Sequence, residues 1–250
     1  MSGNRYDRVI EEVFLATYSE GASSIEFSRD ELEKAARRLS IALPKNLGDI
    51  IYSFRYRTAL PERIRATALE GKEWVIRLAG RSTYRFELRE CIDLTPSPRF
   101  RAIRVPDATP GVVVLYSLQD EQALLAKVRY NRLIDIFTSL TCYSLQNHLR
   151  TTVPGIGQVE TDELYVGIES SGNHYVIPVQ AKGRGESLGI VQIEQDFELC
   201  AHKFPTVPCR PVAAQFMEED VIALFSFIRD EGEVRVLDEK HYRLVEPEEP

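Results

Sequence analysis

Apolar and polar positions follow helical spacing first, then strand alternation, along the 250 residues. Residues 5–19 place Val9, Val13, Phe14 and Tyr18 near a 3.6-residue period. Ser28 followed by Glu31 has the spacing of a capping box, in which each residue satisfies an amide of the other at a helix start. The helix it opens, Arg29 to Leu39, sets Leu32, Ala35, Ala36 and Leu39 on one face. Pro44 suits the first turn of a further helix, where a missing N–H costs nothing. That helix, over 45–57, turns Leu47, Ile50, Ile51 and Phe54 inward. A short helix is expected near Pro61, and strands over Trp74 to Ile76 and Tyr84 to Leu88 around Gly80-Arg81-Ser82.

Leu94 to Gly111 holds prolines at 96, 98, 106 and 110 and reads as a linker. It separates a domain over 1–93 from one over 112–250. Val112 to Tyr116 reads as a short strand. Residues 120–149 read as one long helix or two, with Leu124, Leu125, Val128, Leu133, Ile136, Phe137 and Leu140 on a broad apolar face. Leu188 to His202 reads as an amphipathic helix. Pro211 to Met217 and Val221 to Ile228 read as strands. Glu233 to Val236 and Tyr242 to Val245 read as a closing hairpin through Asp238-Glu239-Lys240.

The chemistry concentrates between Gln158 and Gly183. Strand formers run from Glu163 to Ile168 and again from Tyr175 to Val179, around the turn signal Ser170-Ser171-Gly172-Asn173. A turn centred on Gly172 sets Asp162 opposite Lys182 and Leu164 opposite Gln180. Side chains two apart share a face, so Glu160, Asp162, Gln180 and Lys182 are expected together. Two carboxylates, an amide and an ammonium on one sheet face are costly to bury unpaired. A hard divalent cation between the oxygens offsets that cost.

This constellation resembles the PD-(D/E)xK nuclease superfamily, which includes many restriction endonucleases. The family places an acidic residue at the start of one strand and a D/E-x-K tripeptide on the next. Asp162 matches the first acid and Gln180-Ala181-Lys182 the tripeptide, with glutamine where the family usually has Asp or Glu. The resemblance implies a restriction-endonuclease-like mixed β-sheet flanked by helices and a Mg²⁺-dependent endonuclease of the type II restriction kind. Asp162, Gln180, Glu160 and the carbonyl of Ala181 are the implied metal ligands. Lys182 is implied either to favour the hydroxide form of the metal-bound water or to stabilise charge on the pentavalent phosphate. A helix before the hairpin sometimes supplies a carboxylate in this family, which singles out Glu121 and Asp135. Polar residues in the following helix approach the phosphate, which singles out Gln195. His148 is a weaker candidate for a base.

The order helix, helix, turn, helix, β-hairpin in the first domain resembles a winged helix-turn-helix. That gives an α+β architecture overall: a winged-helix DNA-binding domain followed by a nuclease domain. The resemblance gives the helix from Lys45 the recognition role, with Lys45, Asn46, Arg55 and Arg57 on its polar face and Arg81 and Arg85 on the wing. The formal charge of −7 argues against nucleic acid only until its distribution is considered. Residues 1–90 carry 16 Lys+Arg against 14 Asp+Glu, and the remainder 15 against 24. The whole-chain number therefore decides little; the resemblances imply double-stranded DNA as a partner, and cutting both strands with one site per chain implies a homodimer. No apolar run has the roughly 18 residues of a membrane helix, and the N-terminus has no apolar signal region. The cysteines, Cys91, Cys142, Cys200 and Cys209, form no CxxC pair. A cytoplasmic protein with free thiols is expected. Gln180 keeps a second class open: a DNA-binding protein whose nuclease-like domain is degenerate. A structure-specific repair or defence nuclease is a third.

Overall fold

The computed structural model describes residues 5–56, 58–80, 82–116, 121–186 and 188–246. The chain divides into two compact units: Met1–Asp93 with Pro154–Gly157, and Leu94–Val153 with Gln158–Pro250.

The first unit runs α1 (Arg5–Thr17), β1 (Ser24–Ser28), α2 (Arg29–Arg38), α3 (Gly48–Tyr56), α4 (Glu62–Arg65), β2 (Lys72–Gly80) and β3 (Thr83–Glu90). Glu31 takes the capping role its spacing suggests. Its carboxylate accepts the Ser28 N–H at 2.7 Å and the Ser28 hydroxyl at 2.9 Å. The strands form an antiparallel sheet in the order β1-β3-β2. β1 is a strand the helical reading of this region did not contain. Ile25 and Phe27 point into the core while Ser24 and Glu26 face out, a two-residue period too short to stand out beside the cap. Phe14 anchors the core edge-on to Trp74 and Phe86, with Phe27 stacked on Phe86.

The second unit runs β4 (Ile103–Pro106), α5 (Gly111–Tyr116), α6 (Glu121–Tyr130), α7 (Leu133–Thr138), β5 (Thr141–Val153), β6 (Gly157–Ile168), β7 (His174–Lys182), α8 (Ile190–Lys203), β8 (Val212–Phe216), β9 (Val221–Asp230) and β10 (Glu233–Val245). Its mixed seven-stranded sheet has the order β4-β10-β9-β8-β7-β6-β5. The whole is therefore a mixed α/β protein. β7 and β8 are parallel, and α8 makes the crossover such a pair needs. β7 lies inside the sheet with helices on both faces, so Val176 through Lys182 are all buried. Ile177, Val179 and Ala181 join Leu124, Leu125 and Val128 of α6 and Phe137 of α7 in one core. α8 packs on the strand's other face.

Several expected elements differ. Residues 112–116 are helical, with Val112, Val114, Leu115 and Tyr116 exposed. The segment 94–111, read as a linker, contains β4, which pairs in parallel with β10. The helix expected to reach residue 149 ends at Thr138. Arg132 and Ser139 take positive φ of 50° and 59° and break it twice. From Thr141 the β-branched and aromatic residues then form a 13-residue edge strand. The closing hairpin through residues 238–240 does not form. The turn sits at Glu231-Gly232, both with positive φ. β10 is one strand along β9, with a register shift between Val236 and Asp238.

Candidate functional site

β6 and β7 form the expected hairpin, but two residues out of the expected register. Glu163 faces Val179 and Ile168 faces His174, around a turn in which Gly172 has φ +90°. The Asp162–Lys182 and Leu164–Gln180 pairings are therefore corrected: Leu164 faces Pro178. The turn closes between Glu169 and Asn173, by the bond from Glu169 N–H to the Asn173 carbonyl, so its centre lies nearer Ser171 than Gly172. A shift of two preserves which face each side chain takes.

The backbone ladder between the strands stops at Glu163 and Val179, and side chains continue it. The Thr161 hydroxyl donates to the Val179 carbonyl at 3.2 Å. The Asp162 carboxylate accepts the Ala181 N–H at 2.8 Å. The Gln180 amide donates to the Glu160 carbonyl at 3.1 Å. Asp162 and the Gln180-Ala181-Lys182 tripeptide are thus joined directly where the strands part.

The rest of the site assembles around them. Lys182, 9% exposed, extends its ammonium to 3.4 Å from Glu121 in the first turn of α6. His148 on β5 has φ +49°, a left-handed conformation unusual within a strand. Its Nδ1 lies 3.4 Å from Glu160, and its Nε2 lies 3.2 Å from Gln122. Glu186 accepts the Gly183 N–H at 2.9 Å in the loop after Lys182. Beneath the tripeptide, α8 places the fully buried Asp196, whose two oxygens each lie 3.0 Å from Gln180 Nε2.

The electrostatics of this group are unbalanced towards negative. Burial pushes the Asp162 carboxyl above its usual range; the Ala181 amide, Lys182 and His148 oppose the shift, and Glu160 adds to it. Burial likewise raises Glu121, with Lys182 opposing and Asp162 and Glu186 adding to the push. Asp196, without solvent, is raised well above the carboxylate range. Among the described residues no group of three or more His, Cys, Asp or Glu side chains is placed to hold a metal ion by itself. A cation here would draw on mixed oxygen donors: the Asp162 and Glu160 carboxylates, the Gln180 amide oxygen, the Ala181 carbonyl and water. That oxygen-only set, with crowded carboxylates, fits Mg²⁺, which retains several waters and needs only one or two carboxylates.

The structure brings together Asp162, Gln180, Ala181, Lys182 and Glu160, and adds Glu121, His148 and Asp196. Asp135 lies elsewhere, accepting the Cys142 N–H at 3.0 Å. Gln195 is buried with its Oε1 unpartnered. Asp196 escaped the sequence reading, although an acid between Ile193 and Phe197 on the buried face of a helix was a visible signal.

The candidate DNA contacts of the first unit are less uniform. Lys45 is exposed. Asn46 is occupied at the start of α3, accepting the Gly48 N–H at 3.1 Å and donating to Asp49 at 2.7 Å. Arg55 is half-buried with its guanidinium 4.7 Å above the Tyr56 ring, and burial lowers its pKa. Arg85 pairs with Glu26 at 3.0 Å. Arg57 and Arg81 lie outside the described residues. Among the described residues no helix is long and apolar enough to cross a membrane. No protein-family model matches the chain, and no similarity was found to a curated protein or to a solved structure.

Proposed function

We propose that this chain is a Mg²⁺-dependent endodeoxyribonuclease of the PD-(D/E)xK kind, similar to a type II restriction enzyme. The reading extends to a cytoplasmic protein acting on double-stranded DNA as a homodimer, with the first unit a winged-helix-like DNA-binding domain. The observation that carries it is the bond from the Ala181 N–H to Asp162. It ties the Asp162 carboxylate of β6 to the lysine tripeptide at the point where the two strands separate and their side chains become free to work.

Each residue has a role in that reading. Asp162, Gln180, the Ala181 carbonyl and Glu160 would hold Mg²⁺. When bound, the ion supplies Lewis-acid polarisation of the scissile phosphate. Lys182 donates to a phosphate oxygen as negative charge builds in the transition state, a contribution strongest away from bulk water. Glu121 holds the Lys182 ammonium in place. His148 shields one edge of Glu160. The exposed Lys45 contacts the DNA backbone, and Arg57 and Arg81 are assigned the same role.

One observation favours a second reading, a DNA-binding protein with a degenerate centre. The Gln180 amide is engaged by Asp196 and Glu160 rather than standing free. Incubation with mixed plasmid DNA separates the two. The nuclease reading expects cleavage with Mg²⁺ and none with EDTA; binding without cleavage at any Mg²⁺ concentration supports the degenerate centre.

A further inference from the structure

We infer that Asp196 is a positioning residue that fixes the Gln180 side chain with its oxygen available to a cation. The inference rests on the nuclease reading above and concerns how a neutral residue serves at position 180.

The contacts around Gln180 leave one orientation of its amide. Nε2 lies 3.0 Å from Asp196 Oδ1, 3.0 Å from Oδ2 and 3.1 Å from the Glu160 carbonyl. The Glu160 carbonyl can only accept and the Asp196 oxygens offer lone pairs beside it, while an amide nitrogen carries two hydrogens and an amide oxygen carries none. Reversing the amide would set its oxygen against three lone-pair-bearing atoms and leave buried acceptors unmatched. The donor end therefore stays on Asp196. Oε1, on the opposite branch of the same planar group, remains the end that no buried carboxylate holds.

The same geometry accounts for glutamine. A carboxylate at 180 would lie about 3 Å from Asp196, and like charges that close disfavour joint ionisation. With glutamine at 180 and aspartate at 196, strand and helix share one donor and one acceptor set instead of two repelling acids. α8 supplies acceptor oxygens from below, and β7 supplies a neutral oxygen above. Partners that orient a metal ligand in this way typically change metal affinity 10- to 100-fold when removed.

The test uses the full chain without DNA and reads Mn²⁺ binding by titration calorimetry, with thermal melting alongside. Three variants are compared with the parent: Asp196→Asn, Gln180→Glu, and the double exchange Gln180→Glu with Asp196→Asn. Asp196→Asn gives Gln180 a partner with only one acceptor, so Mn²⁺ affinity falls about 10-fold or more. Gln180→Glu alone sets two acids together and lowers the melting temperature. The double exchange restores the hydrogen bond to position 196 with donor and acceptor reversed, although the Glu160 carbonyl loses its donor. It melts above Gln180→Glu alone and binds Mn²⁺ at least as tightly as the parent, which a merely structural Asp196 would not produce. An Asp196→Asn chain that melts lower but binds Mn²⁺ as the parent does overturns the inference, as does a double exchange no better than Asp196→Asn. A parent that binds no Mn²⁺ overturns the metal reading itself, and the inference with it.

Discussion

Arg129→Met should destabilise the second unit by about 3 kcal/mol. Glu163 is fully buried on β6, beside Asp162. Its Oε1 accepts from Arg129 Nε at 2.8 Å and from the Ser144 hydroxyl at 2.6 Å. One carboxylate thereby binds β5, β6 and α6, the helix that brings Glu121 to the site. Removing one partner of a buried pair strands the other charge and costs roughly 3–5 kcal/mol. The Arg129 side chain is 36% exposed, so water already screens part of the pair and the lower end applies. Glu163→Gln removes the buried charge yet keeps an acceptor for Arg129 and Ser144, so its cost should be about 1–2 kcal/mol. With both changes no charge is stranded, and the double variant should lose about 1.5 kcal/mol less than the sum of the singles. Urea unfolding followed by far-ultraviolet circular dichroism measures all three. A loss below about 1 kcal/mol for Arg129→Met, the range of an exposed ion pair, would refute the clamp.

Other expectations are as specific. Asp162 has a native pKa raised by burial. Its contribution to stability is full below the ordinary carboxylate range and is lost as pH rises through the raised value. Without metal, Asp162→Asn should therefore melt higher than the parent at pH 8 and show no such gain at pH 4; equal gains at both would contradict the shift. Lys182→Ala should slow cleavage at least 100-fold while circular dichroism shows the fold retained. Lys45→Ala should weaken binding of the full chain to duplex DNA on every sequence and reduce the salt slope by about one. Arg55→Ala, by contrast, should lower the melting temperature through loss of its contact with Tyr56, worth about 1 kcal/mol, with little change in the salt slope.

The parts of the fold legible in the sequence were those where one period dominates. α8 matches its amphipathic pattern, and the β6–β7 hairpin appeared from two runs of strand formers around a glycine turn. The site's face was legible because an error of two in register leaves parity unchanged. Long-range pairing was not. β4 looked like a linker because its prolines advertise a turn, while its partner β10 lies more than 130 residues away in sequence. β5 was hidden behind the apolar stripe of α6 and α7, since no proline or glycine marks its start; the break comes from left-handed Arg132 and Ser139. Glu121 could be suspected from its place before the hairpin. The burial of Asp196 could be suspected from its apolar neighbours, but not its meeting with Gln180, because nothing local says which strand residue a helix will meet.

The central claim is that Asp162 and Lys182 form a phosphodiesterase centre. Its most direct test is supercoiled plasmid incubated with the purified chain in Mg²⁺, against EDTA and against Asp162→Ala and Lys182→Ala. Cleavage by the parent in Mg²⁺ alone, lost in both folded variants, is the predicted result. Cleavage that survives both substitutions, or a parent that never cuts, would contradict it.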